Sequence, residues 1–78
     1  MLTFLLTNES CPRARYYRVE VAYNLFGEYS VMREWGPKGR RGAHLLVWFS
    51  NLREACVAAE RWRKRAMRRG YQTQGVTL

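Results

Sequence analysis

The chain has 78 residues and a mass of 9.3 kDa. It carries 14 Lys+Arg against 6 Asp+Glu and one His, a formal net charge of +8, with 47% hydrophobic and 14% aromatic residues. That length gives one domain over residues 1–78, rules out a two-domain enzyme and argues against a large buried active-site cavity. A chain this short buries only roughly 60% of its unfolded surface, so modest stability is expected. The apolar content is that of a globular chain. The cation surplus calls for an anionic partner: nucleic acid, membrane or acidic protein.

The opening residues Met1 to Thr7 read as a strand or an ordered tail. No basic residue precedes this apolar run, and it is too short for a signal peptide or a membrane span. A cytoplasmic protein is expected. Asn8 to Ala14 contains Asn8, Ser10 and Pro12 and reads as a connector. Alternation then begins, with Tyr17, Val19, Val21 and Tyr23 on one side and Tyr16, Arg18, Glu20 and Ala22 on the other. Asn24-Leu25-Phe26-Gly27 permits a tight reversal. A second strand follows, with Tyr29, Val31, Arg33 and Trp35 opposite Ser30, Met32 and Glu34. So short a connection makes the two strands antiparallel. The four strand tyrosines Tyr16, Tyr17, Tyr23 and Tyr29 fit sheet packing better than stacking platforms.

Gly36-Pro37-Lys38-Gly39-Arg40-Arg41-Gly42 is a cationic loop whose glycines and proline exclude helix and central strand. Ala43 to Phe49 forms a third strand, with Leu45, Val47 and Phe49 facing one way and Leu46 and Trp48 the other. Asn51 with Glu54 fits a capping box, and Ser50 is the alternative cap. Leu52, Ala55, Cys56, Ala59, Trp62 and Ala66 then make one apolar stripe on a helix of about five turns. Gly70 fits the C′ position, and Tyr71 at C″ can pack back on the last turn. Gln72 to Leu78 reads as a short, loosely held tail. The fold class is therefore α/β of the α+β type: a small twisted antiparallel sheet against one long C-terminal helix.

Opposite the apolar stripe, the helix clusters Arg61, Lys64, Arg65 and Arg68, and no acidic residue interrupts the run from Arg61 to Arg69. Cations at a helix C-terminus are favourable, but like charges one turn apart repel. A solvated face and a phosphate-contacting surface both fit. A membrane fits less well, because the opposite, Ala-rich face is committed to the sheet. In the loop, glycines let backbone N–H groups approach an anion, and Lys38, Arg40 and Arg41 supply charge. An exposed Trp35 can stack on a base or sugar, yet it shares the side of Val31 and fits a core position too. Arg18 and Arg33 fall on neighbouring strands, and one or both can add to a basic surface beside Trp35. The loop is neither a Walker A motif nor a dinucleotide fingerprint.

No cofactor is expected. Cys11 and Cys56 form no CxxC, and a zinc site would need His44 and a carboxylate at odd spacings. His44 alone is not an acid–base system. Glu20, Glu28, Glu34, Glu54 and Glu60 show no catalytic pairing, so a non-enzymatic protein is expected.

The window Trp35-Gly36-Pro37-Lys38-Gly39-Arg40-Arg41-Gly42 resembles the hallmark of the WGR domain, matching its tryptophan and three glycines in register. Tyr16 and Tyr17, Tyr29-Ser30-Val31, Phe49, Glu54-Ala55, Lys64-Arg65 and Gly70-Tyr71 match in order, so the resemblance covers about Tyr16 to Tyr71. It implies a non-catalytic domain of the kind found in DNA-break-activated poly(ADP-ribose) polymerases and in bacterial proteins. There it binds near a break and its 5′ phosphate, with the family tryptophan, Trp35 here, packed against the nucleotide. The chain departs from the family at Pro37, where the motif has arginine, and at Lys38, where it has an apolar residue.

The function expected is binding of duplex DNA at ends or nicks. Trp35, Gly36, Lys38, Gly39, Arg40, Arg41, Arg33, Arg61, Lys64, Arg65 and Arg68 form the surface, and nucleoid association would follow. The alternatives are a protein-interaction module or accessory subunit of a nucleic-acid enzyme, and a single-strand binder.

Overall fold

The computed structural model describes residues 2–9 and 14–77. The elements run β1 (Leu2–Asn8), β2 (Arg15–Tyr23), β3 (Tyr29–Pro37), β4 (Ala43–Phe49), α1 (Leu52–Arg68) and β5 (Gln72–Thr77). The strands form one antiparallel sheet in the order β4-β3-β2-β1-β5, and α1 packs across one face of it. The expected α+β architecture is the one observed.

The β2–β3 hairpin is set by its turn. Asn24 Oδ1 accepts from the backbone N–H groups of Phe26 (2.9 Å) and Glu28 (3.1 Å). Gly27 takes a φ of 77°, which a side chain would disfavour. The register that follows pairs Tyr23 with Tyr29, Val21 with Val31, Tyr17 with Trp35 and Arg15 with Pro37. Tyr23 and Tyr29 stack across the strands at 5.8 Å.

Val19, Val21 and Val31 lie fully buried against Ala55 and Ala59 of α1. Leu2, Phe4, Tyr17, Tyr29, Phe49 and Trp62 close around them. Each buried Val or Leu side chain contributes about 1.5–3 kcal/mol, so four fully buried large side chains, Leu6 among them, make a small core. Alanines on the buried stripe let the helix lie close to the sheet. Trp62 packs partly buried against the core, Cys56 is half-buried and Leu52 is exposed. Cys11 lies outside the described residues.

Asn51 is the N-cap, accepting from Glu54 N–H at 2.8 Å. At the other end Tyr71 N–H donates to Ala66 O (3.2 Å) and Gly70 N–H to Met67 O (3.1 Å). With Gly70 at φ 93°, this is a Schellman close.

Two expectations are corrected. Asn8 is not the start of a connector but the last residue of β1, paired with Arg15 and 7% exposed. Its amide Nδ2 donates to Arg69 O at 3.3 Å, so a residue read as a strand breaker holds the helix end to the sheet. The tail from Gln72 is strand β5, antiparallel to β1 from Thr3↔Thr77 to Thr7↔Gln72. It carries no apolar alternation. Its order comes from main-chain hydrogen bonds to β1, which local sequence does not announce.

Deleting residues 72–78 should therefore lower stability by at least about 2 kcal/mol in urea unfolding, from ladder bonds lost and Leu6 uncovered. A loosely held tail would leave the midpoint unchanged.

Candidate nucleic-acid interface

The β2–β3 register decides what stands at the loop end of the helix face. Strand alternation puts Arg15, Tyr17, Arg33 and Trp35 on the same side as Val19, Val21 and Val31. The last turns of α1 bring Arg65 and Arg69 over them, and the Schellman close returns Tyr71 to the sheet. These residues, with Asn8 and Ala66, line a cleft of about 410 Å³.

Aromatic rings shape the cleft. Tyr17 stacks on Trp35 with centroids 6.3 Å apart and planes 22° from parallel. Tyr71 meets Tyr17 edge-on at 5.8 Å. The Arg33 guanidinium carbon lies 4.4 Å from the Trp62 ring centroid and 5.6 Å from that of Trp35. Such cation–π contacts hold it in place. Its Nε is buried without a hydrogen-bond partner among the described residues. Four arginines thus border one cleft, and none of the described residues lining it is acidic. Planar guanidinium groups bind phosphate by paired hydrogen bonds, and rings beside them offer a base or sugar a stacking surface.

The cationic loop is shorter than its sequence-based reading: Gly36 and Pro37, taken to exclude a central strand, are the last residues of β3 and pair with Tyr16 and Arg15. Gly36 is buried, and a Cβ there would lie 2.8 Å from Gly42 Cα. A Cβ on Gly42 would meet Trp35 O at 2.0 Å and the Tyr16 hydroxyl at 2.7 Å. These two glycines let the ends of β3 and β4 close on each other beneath Tyr16. Gly39, at φ 83° with open space around it, shapes the turn. Two loop N–H groups are already engaged, Lys38 with Ala14 O (2.8 Å) and Arg40 with Pro37 O (3.2 Å).

Tyr16 lies on the sheet face away from α1. Its hydroxyl lies beside the Glu34 carboxylate and the Gly42 backbone. Partial burial, then the Glu34 carboxylate, push its pKa above the usual tyrosine range. Glu34 also pairs with Arg18 at 2.9 Å.

The eleven residues singled out from sequence fall into three groups. Trp35, Arg33 and Arg65 meet in the cleft. Lys38, Gly39, Arg40 and Arg41, following Gly36, form the exposed loop, where Lys38 pairs with Glu9 at 2.7 Å. Arg61, Lys64 and Arg68 are exposed on α1 outside the cleft, and Arg61 borders a separate groove with Phe49 and Val57. Sequence reading missed Asn8, Arg15, Tyr17, Arg69 and Tyr71 as cleft residues. Counting back from the Asn24 turn finds two of them, since pairing Tyr23 with Tyr29 places Tyr17 opposite Trp35 and Arg15 opposite Pro37.

Among the described residues no group of three or more His, Cys, Asp or Glu gathers to hold a metal. Among the described residues no helix is long and apolar enough to cross a membrane.

A five-stranded sheet with one helix, an arginine-lined aromatic cleft and a net charge of +8 define a small basic module suited to a phosphate-bearing polymer. The family model of the WGR domain matches residues 1–77, and the chain belongs to that family, whose members generally bind nucleic acid. The match takes in β1 and β5, beyond the Tyr16–Tyr71 span of the sequence resemblance. Comparison with curated proteins finds no match.

Gly42→Ala should destabilise the fold by about 2–3 kcal/mol, because backbone must move to admit the methyl group. Gly39→Ala should cost only the left-handed backbone penalty of about 1–2 kcal/mol. Urea melts of the two variants separate a packing glycine from a turn glycine.

Lys38, by its hydrogen bond first and its charge second, holds the Glu9 carboxyl below its ordinary 4.5. A depressed carboxylate stabilises the fold above its unfolded pKa and loses that contribution as pH falls through the folded value. Titration of Glu9 by NMR should therefore show its midpoint below 4.5, and Lys38→Met should return it there. Glu9→Gln, which frees the Lys38 charge, should raise nucleic-acid affinity by about two- to three-fold at low salt.

Proposed function

We propose that this chain is a non-catalytic module that binds duplex DNA at an end or a nick. The terminal nucleotide enters the cleft, with its phosphate among the arginines and its sugar or base against Trp35. The observation that carries this reading is the convergence of Arg15, Arg33, Arg65 and Arg69 on Trp35, Tyr17 and Tyr71, with no acidic side chain among the described lining residues. An uninterrupted duplex presents no free terminus to a cleft of about 410 Å³, whereas an end or nick does.

The departure at Pro37 has a counterpart across the hairpin. Arg15 is the cross-strand partner of Pro37 and lines the cleft. A guanidinium therefore stands beside the position where the family motif carries one, on the neighbouring strand. Lys38, Arg40 and Arg41 extend the positive surface along the flanking backbone. Readout of base sequence is not expected, because nothing in the sequence looks like a dedicated recognition helix.

A second reading, a protein-docking module, is favoured by the β2–β3 turn. Leu25 and Phe26 there are 98% and 85% exposed, at the far end of the hairpin from Trp35. Trp62 adds nothing to such a patch, being packed against the core under Arg33.

Fluorescence anisotropy across a salt series tests both readings, using hairpin-capped duplex, blunt duplex, nicked duplex with and without a 5′ phosphate, and single strand. Preference for the phosphorylated end or nick at physiological salt is the expected result. Arg15→Gln and Arg69→Gln should each reduce that preference and lower the salt slope by about one. A folded Lys38/Arg40/Arg41 triple variant should weaken binding to every duplex alike. Equal affinity for all substrates, vanishing with salt, would overturn end recognition. Preference for the single strand would favour a single-strand binder, and no DNA affinity at low salt would favour the docking module.

A further inference from the structure

β4 is one edge of the sheet, and its outer side pairs with no strand among the described residues. Folded proteins blunt exposed edges with Lys, Pro, a bulge or brevity. The other edge, β5, follows that rule: it is polar, contains Gly75 and pairs with β1 through a register shift at Leu5/Leu6. β4 does not follow it. Its seven residues, AHLLVWF, carry no Lys, Arg, Asp, Glu or proline, and its ladder with β3 is continuous. Leu45, Leu46 and Trp48 remain 40%, 45% and 51% exposed, on both faces of the strand. In a chain where 26% of residues are charged, this is an unprotected pairing template.

The strand is complementary to itself. An antiparallel pairing with a two-fold axis at Leu46 sets Leu46 beside its copy, Leu45 beside Val47, Ala43 beside Phe49 and His44 beside Trp48. Partners in an antiparallel pair share a face, so on the helix face apolar side chains meet apolar ones, the largest beside the smallest, while on the other face Leu46 meets its copy and the His44 ring meets the Trp48 ring. No charged pair is forced together. An axis normal to the sheet keeps both helices on one side, and α1 lies more over β2 and β3 than over β4. Phosphate polymers offer no main-chain ladder to an edge strand, and an acidic protein would find no cation on β4. A second copy of the chain satisfies both the ladder and the apolar side chains.

We propose that two copies of this chain join by antiparallel pairing of β4 with β4, continuing one five-stranded sheet into the other. The pairing is independent of what enters the cleft. It places the two clefts on the same face and at opposite ends of the joined strands, about 20 Å apart along the strand direction. Its salt dependence is opposite in sign to that of nucleic-acid binding. Two chains of charge +8 repel, so added salt screens the repulsion and strengthens the pair.

Sedimentation equilibrium of the nuclease-treated full chain over a wide concentration series is the test. The expected result is a mass that rises from 9.3 kDa toward twice that value, more readily at high salt. Leu46→Lys puts two ammonium groups face to face and should weaken association by roughly ten-fold or more. Should that variant fail to fold, Leu46→Cys in a Cys11→Ser, Cys56→Ala background should oxidise to a covalent dimer, while Gln74→Cys on β5 should not. A wild-type mass of 9.3 kDa at every concentration overturns the proposal, including the case in which β4 awaits a strand from another protein. So does a dimer that Leu46→Lys leaves equally tight, or equal cross-linking through Gln74.

Discussion

The pairing of β2 with β3 is the constraint on which the rest depends. One asparagine side chain closes the turn, and the turn fixes a register nine residues long. A slip of β3 by one residue would exchange all its side chains between faces. Val31 would leave the core, and Trp35 would leave the cleft. The same register therefore determines stability at one end of the hairpin and the chemistry of the cleft at the other. The glycine closure at Gly36 and Gly42 then carries β3 into β4 without opening the ladder.

The cleft concentrates like charge where the fold gains little from it. Four guanidinium groups near one another repel, and no carboxylate among the described lining residues offsets them. Elsewhere, among the described residues, three cations are paired with carboxylates. Arg18 meets Glu34, Lys38 meets Glu9, and Arg63 meets Glu60, whose carboxyl is held below its usual range by that arginine. Within the cleft the described compensation is aromatic, with Arg33 set over Trp62 and Trp35. Rings attract a cation without neutralising it. The field toward an incoming anion is thereby preserved, which paired carboxylates would have cancelled.

What the sequence revealed follows the range of the forces involved. Asn24–Gly27, the Asn51 cap, the alanine stripe and the Gly70-Tyr71 close are local devices, and each was legible from neighbouring residues. β5 was not, because Gln72, Thr73 and Gln74 acquire strand geometry only from β1, at the far end of the chain. Asn8 misled for a related reason, since its side chain serves a helix terminus sixty-one residues away. In the cleft, Trp35, Arg33 and Arg65 stood out by type and position. Tyr17 and Tyr71 were hidden because the same rings pack the core edge and line the cavity. At the end of α1 a basic stretch with no acidic residue could not show that Arg65 and Arg69 line the cleft while Lys64 and Arg68 do not.

The union of β1 with β5 also fixes where a host polypeptide would enter and leave. Thr3 and Thr77 are cross-strand neighbours, so the two ends of the domain lie about 5 Å apart on adjacent strands. An attachment of that width fits within a surface turn of another protein. The whole domain can therefore be carried as a side branch on a larger chain, with the host's own path interrupted but not spread apart. Both points of attachment then fall at the β5 side of the sheet, leaving the β4 edge outermost.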